Sequence, residues 1–294
     1  MAILSVQSHV CYGHVGNAAA VFPLQRMGFE VWPVHCLQYS NHPGYGDWEG
    51  EVYAACQVAD LLKGIERRGV LCNCEAILSG YLGTAGLGEA LLDTVAAVRA
   101  ANPDAMFLCD PVMGDADTGV YVQPEIPGFM REKALKFADI ITPNLFELGL
   151  LAQSDVRDQA TAITASRRLL NDPQNRLKAV VVTSVAVNSD IPGANDRIGI
   201  LSVTREEVHL AITSKLDLEP PVKGTGDLFA ALFLAGFLRS KGDAELALQN
   251  ATAALYAVIA TTQRNGSAEL CLVAAQDKIA SPSRKHIEVT RILD

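Results

Sequence analysis

Positive charge is scarce in this chain of 294 residues. Lysine and arginine together number 24 against 33 aspartates and glutamates, so the formal net charge is −9. Nucleic-acid binding depends on basic side chains that neutralise phosphates, and we therefore expect no nucleic-acid partner. An anionic ligand would have to be held by local devices such as glycine turns, helix N-termini or metal ions.

Long apolar runs are also missing. The longest strongly apolar stretch, Leu228–Leu238, is about half as long as a membrane-spanning helix, which needs roughly 20 residues. It predicts a buried helix instead. The first ten residues carry neither a basic segment nor a long apolar run, which argues against a signal peptide. We expect a soluble, cytoplasmic protein with no membrane partner.

The seven cysteines follow no disulfide or zinc pattern. Cys72 and Cys74 form C-x-C, and no second pair or histidine cluster follows them. An odd number of irregularly spaced cysteines is typical of buried, reduced thiols in a cytosolic protein. The sequence also contains no Walker A loop and no dinucleotide-binding fingerprint after its first strand.

Short apolar runs do alternate with helical patterns along the chain. Helical spacing covers Ala18–Met27, just before Gly28, and Leu87–Ala101. The apolar runs predict strands at residues 2–6, 30–34, 75–79, 105–110, 138–142, 178–183 and 197–203. Such runs are typical of parallel strands with helices on both faces, which predicts a doubly wound α/β sheet. No linker interrupts the pattern, so we expect one domain over residues 1–294.

Two segments depart from this alternation. Gln38–Glu51 is rich in glycine and aromatic residues. It predicts a loop or irregular hairpin that reaches over a pocket, since loops on a rigid scaffold often carry function. Residues 189–197 predict a surface turn.

The glycine turn Gly224–Gly226, ahead of the long apolar run, is the strongest candidate for chemistry. Glycine permits a tight turn and close approach to a ligand, and the free N–H groups of a helix start attract anions. Asp227 follows at the helix start, where its carboxylate can take a proton from an attacking hydroxyl. The combination suits phosphoryl transfer. Ordinary helix capping by Asp227 explains the same residues and stays open.

Two further carboxylates follow predicted strands. Asp110 closes an apolar strand, and ligands of open α/β sheets bind at that edge, so Asp110 is a candidate magnesium or phosphate-side ligand. A turn or cap aspartate is the alternative. Glu147 follows Asn144 by three residues, as in a capping box, and a capped helix also fixes its carboxylate.

The remaining candidates follow two other strands. The first strand ends near Ser8 and His9, and His9 fits a packed or hydrogen-bonded residue better than a base. Tyr81 either stacks on a flat ring or covers the core. Ser8, Tyr81 and the three carboxylates share one kind of position, at the end of a strand or the start of a helix, which predicts a single site.

These motifs resemble the pyridoxal kinases of the ribokinase-like superfamily over essentially the whole chain. The segments that carry the resemblance are QSHV, GHVGN, YSNHPGYGDWEG, LSGYLG, CDPVMGD, TPNLFE, VVVTS and VKGTGDLFAA. G-x-G-D is shared with many kinases of the superfamily, whereas QSHV, GHVGN and SNHxGY are more specific. The resemblance implies a three-layer α/β/α fold with a mostly parallel sheet, a homodimer, and transfer of the ATP γ-phosphate to the 5′-hydroxyl of pyridoxal.

The resemblance also implies roles for single residues. Asp227 would be the catalytic base, with an anion hole formed by Gly224, Thr225 and Gly226. The implied nucleotide side consists of Asp110, Thr142, Asn144, Glu147 and Thr183, with Asp110 and Glu147 nearest the Mg²⁺ that accompanies ATP. The implied substrate side consists of Ser8, Pro43, Gly44, Tyr81 and Asp227. Spacing alone places Thr213–Lys215 near the nucleotide, and a need for a monovalent cation such as K⁺ stays open.

One residue departs from the family pattern. The family often has threonine after the histidine of SNHxGY, where this chain has Pro43. The hydroxyl is lost and the backbone is stiffened. A side-chain contact to substrate is therefore in doubt, although a backbone contact at Pro43 or Gly44 can survive, and the preference among pyridoxal, pyridoxine and pyridoxamine stays open.

Two other functions remain open at this point. A related sugar kinase would usually show G-A-G-D, and a hydroxymethylpyrimidine kinase would usually carry cysteine at the position of Asp227. A non-catalytic module that binds pyridoxal 5′-phosphate would need no base, whereas this chain has Asp227, Asp110 and Glu147. For the kinase, we expect Gln38–Glu51 to close over ATP.

Overall fold

A ten-stranded sheet lies at the centre of the computed structural model, which describes residues 2–187 and 193–292. The strands are β1 (Ala2–Val10), β2 (Glu30–Tyr39), β3 (Gly50–Val52), β4 (Cys74–Ser79), β5 (Met106–Cys109), β6 (Gly114–Asp115), β7 (Gly119–Val120), β8 (Ile140–Ile141), β9 (Ala179–Ala186), β10 (Arg197–Val203), β11 (Val208–Ser214) and β12 (Glu288–Arg291). The order in the sheet is β12-β11-β10-β9-β8-β5-β4-β1-β2-β3, and β6 and β7 form a separate hairpin.

Helices cover both faces of this sheet. They are α1 (Asn17–Arg26), α2 (Ala55–Glu66), α3 (Ala85–Ala101), α4 (Ile126–Phe129), α5 (Leu135–Phe137), α6 (Leu145–Ala152), α7 (Gln159–Asn171), α8 (Thr225–Arg239), α9 (Ala244–Arg264) and α10 (Gln276–Ala280). One hydrophobic core lies between the sheet and α2–α7, and a second lies between the sheet and α1, α8, α9 and α10. The predicted three-layer α/β/α architecture is confirmed.

The strand directions bring the predicted site residues to one edge. The strands β2, β1, β4, β5, β8 and β9 are parallel, whereas β3 and β10–β12 add antiparallel pairs at the two sides. The chain winds to one side of β1 through β2 and to the other side through β4. Ligands of such sheets bind outside the carboxyl ends of the strands at the point where the winding reverses.

Most predicted elements are confirmed, with shifts at their ends. A bulge between Gln7 and Ser8 lets β1 continue along β2 as far as Val10, and the strand predicted at 138–142 shrinks to β8. Gln38–Glu51 is indeed an irregular hairpin, because β2 and β3 pair antiparallel around a short 3-10 turn. Of the turn predicted at 189–197, residues 189–192 lie outside the described part, and a 3-10 turn precedes β10.

The cysteine prediction is only partly right. All seven thiols are free, and Cys36, Cys74 and Cys109 are buried, but three others, Cys11, Cys56 and Cys72, are exposed. Among the described helices, none combines the length and apolar character needed to cross a bilayer.

The helix α8 is apolar on nearly all sides because it is buried between the sheet and neighbouring helices. The rings of Phe229, Phe233 and Phe237 follow one another along it, with centroids 6.1 and 6.0 Å apart. On the opposite partner, α9, Ala247 lies so close that a Cβ on Gly236 would approach its Cα to 3.2 Å. This packing holds the first turn of α8 firmly at the carboxyl edge of the sheet.

Truncation of this ring series tests how firmly α8 is held. Phe233 is completely buried, so Phe233→Ala removes contacts and leaves a cavity, and we expect a loss of about 3–5 kcal/mol in the free energy of unfolding. Equilibrium urea denaturation measures this loss. Val273→Ala, at a side chain that is 64% exposed, serves as control and should change stability by less than about 0.5 kcal/mol. Equal stability of the two variants would show that α8 is not anchored by its rings.

Candidate active site

Two close backbone contacts fix the glycine turn at the start of α8. Gly224 has φ of +84°, and a Cβ there would lie 1.7 Å from the carbonyl oxygen of His14. Gly16 has φ of +54°, and a Cβ there would lie 2.2 Å from the carbonyl oxygen of Ser8. Only glycine fits at either position. The segment after β1 and the start of α8 are thereby locked together.

Asp227 lies in the first turn of α8 and faces the ends of β1 and β4. Its carboxylate accepts hydrogen bonds from the N–H of Gly16 and from its own N–H, and a Cβ on Gly80 would lie 3.5 Å from its Oδ1. Burial raises the pKa of Asp227, although these two hydrogen bonds offset part of the rise. A raised pKa brings a carboxylate nearer to the range that suits a general base at neutral pH.

The sequence left open whether Asp227 caps the N-terminus of α8, and the structure shows a different N-cap residue. Gly224 occupies the N-cap position, and the first helical hydrogen bond runs from the N–H of Leu228 to the carbonyl of Gly224. The capping interpretation of Asp227 is therefore wrong. The N–H groups of Thr225 and Gly226 stand at the free end of the helix, with open space beside Gly226, where an anion would be stabilised.

Asp110 lies buried where β5 ends, and its N–H donates to the carbonyl of Ser79 at the end of β4. The hydroxyl of Thr142, at the end of β8, donates to Asp110 Oδ1 at 2.9 Å. Burial raises the pKa of Asp110 well above its ordinary value, and the nearby charges of Glu147 and Asp227 raise it further. The three predicted carboxylates are thus close enough to interact.

Glu147 is held by the predicted capping box at the start of α6. Its Oε2 accepts from the N–H of Asn144 at 2.9 Å, and Asn144 Oδ1 accepts from the N–H of Glu147 at 2.9 Å. Its Oε1 accepts from the N–H of Met113 at 2.9 Å and of Gly114 at 3.5 Å. Burial nevertheless raises the pKa of Glu147 to about 7. Glu147 therefore belongs to the capping box of α6 and also lies beside Asp110.

Asp110 and Glu147 fit a magnesium ion whose remaining ligands are water and phosphate oxygens. Within residues 2–187 and 193–292, no three acidic, cysteine or histidine side chains form a metal-binding group. Mg²⁺ does not require one, because it keeps several waters and is commonly bound by one or two carboxylates plus phosphate oxygens. Only one carboxylate oxygen of Asp110 accepts from Thr142, so the other suits direct contact with Mg²⁺. Both carboxylate oxygens of Glu147 already accept hydrogen bonds, so Glu147 suits contact with Mg²⁺ through a water molecule.

The predicted nucleotide side follows the ends of β8, β9 and β11. Thr183 pairs with Asn144 in an isolated parallel bridge, and its N–H donates to the carbonyl of Pro143 at 3.0 Å. The side chain of Asn144 donates to the carbonyl of Gly114 at 2.8 Å. Because β9 and β11 are both antiparallel to β10, Thr213–Lys215 lies at the same edge as Thr183, and its place near the nucleotide remains a prediction.

The predicted substrate side surrounds the end of β1. Ser8 is buried beside Gly16, and Tyr81 is half-buried after β4, with its carbonyl accepting from the Cys36 thiol at 2.9 Å. Tyr81 packs against the core between the sheet and α2–α7. Its predicted contact with a flat ring remains a prediction.

Pro43 and Gly44 lie in the 3-10 turn of the β2–β3 hairpin. The N–H of Gly44 donates to His42 Nδ1 at 2.9 Å, so this backbone donor is already used within the turn. A backbone contact from the turn to a substrate would have to involve another group. His9 stacks on His35 with ring centroids 4.3 Å apart and lies 3.0 Å from the side chain of Gln38, as expected of a hydrogen-bonded histidine.

Three side chains at this edge were missed by sequence reasoning. Burial and the neighbouring carboxylates, Glu147 first among them, raise the pKa of Tyr121, which follows the β6–β7 hairpin. Lys223 lies against the turn at Gly44. Glu269, after α9, contacts both loops at the mouth of the site. Lys223 could have been noticed beside the glycine turn, whereas the other two carry no local signal.

The raised pKa of Glu147 predicts that stability depends on pH. Because its pKa is 4.5 ordinarily and about 7 in the folded protein, the stabilisation is complete below pH 4.5 and is lost as pH rises through 7. We expect the free energy of unfolding of the ligand-free protein to fall by about 2 kcal/mol from mildly acidic to mildly basic pH, as measured by urea denaturation.

Two variants distinguish the pH dependence caused by Glu147 from that caused by the other titrating groups of the protein. Glu147→Gln should make the decline shallower, while Asp110 and Asp227, whose pKa values are also raised, sustain the rest of it; Glu125→Gln, at an exposed glutamate, should keep the full decline. If Glu147→Gln retained the full slope, the raised pKa would belong to another group.

A family model for phosphomethylpyrimidine kinase matches residues 72–271 of the chain. The pyridoxal kinase PdxY of Deinococcus radiodurans is 48% identical over 280 residues, which cover 95% of this chain and 93% of the relative. The pyridoxal kinase PdxY of Rubrobacter xylanophilus is 49% identical over 280 residues, which cover 95% of this chain and 94% of the relative.

Solved structures are similar over nearly the whole length. The pyridoxal kinase from Leishmania donovani in complex with ADP and ginkgotoxin superposes with a TM-score of 0.88 at 32% identity, covering 99% of both chains. Its complex with ADP and pyridoxine gives the same TM-score of 0.88 at 31% identity, again with 99% of both chains covered.

Proposed function

The chain belongs to the pyridoxal kinase family, and we propose that it transfers the γ-phosphate of ATP to the 5′-hydroxyl of pyridoxal, forming pyridoxal 5′-phosphate. One observation carries the proposal. A buried carboxylate, Asp227, stands at the free N-terminus of α8 within electrostatic reach of Asp110, which also interacts with Glu147. The related Leishmania donovani enzyme has been solved with ADP and pyridoxine, which supports the same pair of ligands here.

Asp227 accepts the proton of the substrate hydroxyl in this proposal. The N–H of Gly16 holds one side of the carboxylate in place, and the rigid first turn of α8 holds the other. The N–H groups of Gly224, Thr225 and Gly226 stabilise the charge that develops on the transferred phosphoryl group. Base and anion hole therefore belong to a single turn of the chain.

The opposite half of the site holds the nucleotide. Thr142, Asn144 and Thr183 line its binding surface at the ends of β8 and β9. Asp110 and Glu147 hold Mg²⁺, which when bound neutralises charge on the ATP phosphates. Burying two carboxylates side by side is unfavourable without a cation, and this supports the assignment.

The substrate half uses the ends of β1 and β4 with the β2–β3 hairpin above them. Ser8 hydrogen-bonds the pyridine ring region, Tyr81 lies near the ring, and the Pro43–Gly44 turn covers the ring from outside. Because the Gly44 N–H is bound to His42, vitamer preference depends on the shape of this turn more than on a hydroxyl at position 43. The hairpin closes when ATP is also bound.

The alternative functions have less support. A hydroxymethylpyrimidine kinase would carry cysteine at the catalytic position, where this chain has aspartate, and the curated relatives are pyridoxal kinases at 48–49% identity. A non-catalytic binding module has no need of a base with a raised pKa. The geometry of Asp227 therefore favours catalysis.

Residues 1–294 act, in our proposal, as one cytoplasmic kinase domain that forms a homodimer. Leu61 on α2 and Val52 on β3 are 54% and 37% exposed, and in our proposal a second copy covers these apolar side chains. Sedimentation equilibrium measures the mass in solution, and a monomer at micromolar concentration would contradict the dimer.

A K⁺ requirement is tested by exchanging K⁺ for Na⁺ in the assay.

The reaction itself is tested by coupling ADP release to each B6 vitamer in turn. Wild-type protein with Mg²⁺ and ATP should release ADP only when a vitamer is present, and pyridoxal should yield the absorbance of pyridoxal 5′-phosphate. Turnover with a pyrimidine alcohol but with no vitamer would favour the related kinase, and tight vitamer binding without turnover would favour the binding module.

Asp227→Asn tests the base. Removal of a general base should lower kcat by about 10²–10⁴-fold, while the affinity for ATP, measured by calorimetry, should change little. Asp104→Asn, at an exposed aspartate, is the matched control and should retain full activity. A kcat of Asp227→Asn within a few-fold of wild type would rule out the assigned role.

Asp110→Asn tests the magnesium side. Loss of a carboxylate that binds the ion should raise the Mg²⁺ concentration for half-maximal activity by about 10-fold or more. Asp117→Asn, on the exposed turn of the β6–β7 hairpin, should leave the Mg²⁺ dependence unchanged. Identical Mg²⁺ titrations of the two variants would exclude Asp110 as a ligand.

A further inference from the structure

The carboxylate of Glu269 touches two loops at the mouth of the site. Its Oε1 accepts from the hydroxyl of Tyr45 at 2.5 Å, and its Oε2 accepts from the N–H of His14 at 3.3 Å. It also lies so close to Gly13 that a Cβ there would approach Oε2 to 2.7 Å. Glu269 therefore joins the 3-10 turn of the hairpin to the segment that follows β1.

The contacts continue from this segment to the anion hole. The N–H of His14 binds Glu269, and the carbonyl of the same residue is the group against which Gly224 packs. A continuous series of contacts thus runs from Tyr45 through Glu269 and His14 to Gly224. It spans the outer boundary of the substrate half, from the covering turn to the first residue of the glycine turn.

Glu269 is presented from a fixed piece of backbone. Its N–H donates to the hydroxyl of Ser267 at 3.1 Å, and that hydroxyl donates to the carbonyl of Glu269 at 2.7 Å. The N–H of Cys271 donates to Thr262, in the last turns of α9, at 3.0 Å. The carboxylate therefore has a defined position even though it lies at the surface.

The other end of the bond lies on a more exposed part of the chain. Tyr45 is 41% exposed and is carried by a hairpin whose outer strand, β3, is exposed at each of its three residues. Burial and the carboxylate of Glu269 both raise the pKa of Tyr45, so its hydroxyl stays protonated and donates at any physiological pH. The bond can break and form again while the rest of the fold is undisturbed.

We propose that Glu269 is a positioning residue that holds the hairpin turn over the substrate and sets its distance from the anion hole. The inference rests on the proposed function, because it takes the space under the turn to be the vitamer site. Without the Tyr45–Glu269 bond the turn samples open positions, and a bound vitamer must restore the closed one. The effect therefore falls on the KM for the vitamer.

A double-mutant cycle with Tyr45→Phe and Glu269→Ala tests this proposal. Each single variant should raise the vitamer KM by about 3–10-fold, the range for loss of one typical hydrogen bond that water can partly replace, with kcat and the KM for ATP within two-fold of wild type. The double variant should be no worse than the worse single one, because the two changes remove the same bond. Glu269→Gln, which keeps an acceptor, should restore part of the affinity.

Two controls show whether the effect is specific. Tyr12→Phe alters another tyrosine near this loop that is 63% exposed, and Glu125→Gln alters an exposed glutamate far along the chain. Both should behave as wild type. Multiplied effects in the double variant, or equal changes in kcat and in both KM values, would overturn the proposal.

Limited proteolysis supplies a readout that needs no activity. Cleavage within residues 38–51 should be several-fold faster in Tyr45→Phe than in Tyr12→Phe, and equal rates would overturn the proposal even if Glu269→Ala does not fold. If the wild type shows no vitamer-dependent turnover, the proposed function fails, while faster cleavage of Tyr45→Phe would still show the restraint on the turn. The two failures are therefore distinguishable.

Discussion

The close approach of two backbones, at Gly224 and His14, is the contact on which the rest of the site depends. A side chain at Gly224 would collide with the His14 carbonyl, so the start of α8 can reach the end of β1 only because glycine stands there. That approach brings the N–H of Gly16 to the carboxylate of Asp227. The carboxylate of Asp227, its hydrogen-bond donor and the free end of the helix are thus placed by a single steric condition.

Electrostatics adds a second constraint. Burial raises the pKa values of Asp110, Glu147 and Asp227 together, and their proximity adds to the rise at Asp110. The ligand-free site therefore holds negative charge at a cost, and in the proposed function the cation that accompanies ATP relieves it. An acidic protein can bind an anionic nucleotide in this way without a basic surface, since helix ends and metal ions supply the positive potential locally.

Much of this arrangement could be predicted from the sequence because its signals are local. Asp110 and Thr142 end apolar strands, Asn144 and Glu147 form a capping box, and Gly224–Gly226 precede an apolar run. Parallel strands end at one edge, so local signals were enough to gather these residues. The antiparallel strands β11 and β12 and the helix α9 could not be located, because their packing rather than their pattern defines them.

Contacts between distant parts of the chain were beyond sequence reasoning. Tyr45 and Glu269 are 224 residues apart, and neither stands in a pattern that points to the other. The open alternative of Asp227 as the helix cap failed for a related reason. Which residue caps α8 is decided by the backbone conformation at Gly224 and by its contact with His14, and neither is visible in the order of residues.

The position of the hairpin at the last strand of the sheet has a consequence for how the protein can change. Among the strands of residues 2–187 and 193–292, β3 pairs only with β2, on one side, whereas α8 is enclosed by the second hydrophobic core. Local unfolding at a sheet border needs little free energy compared with opening a packed interior. The β2–β3 hairpin and the glycine turn of α8 therefore lie in regions of very different local stability, so substitutions that reshape the hairpin can accumulate with little loss of fold stability and little change in the glycine turn.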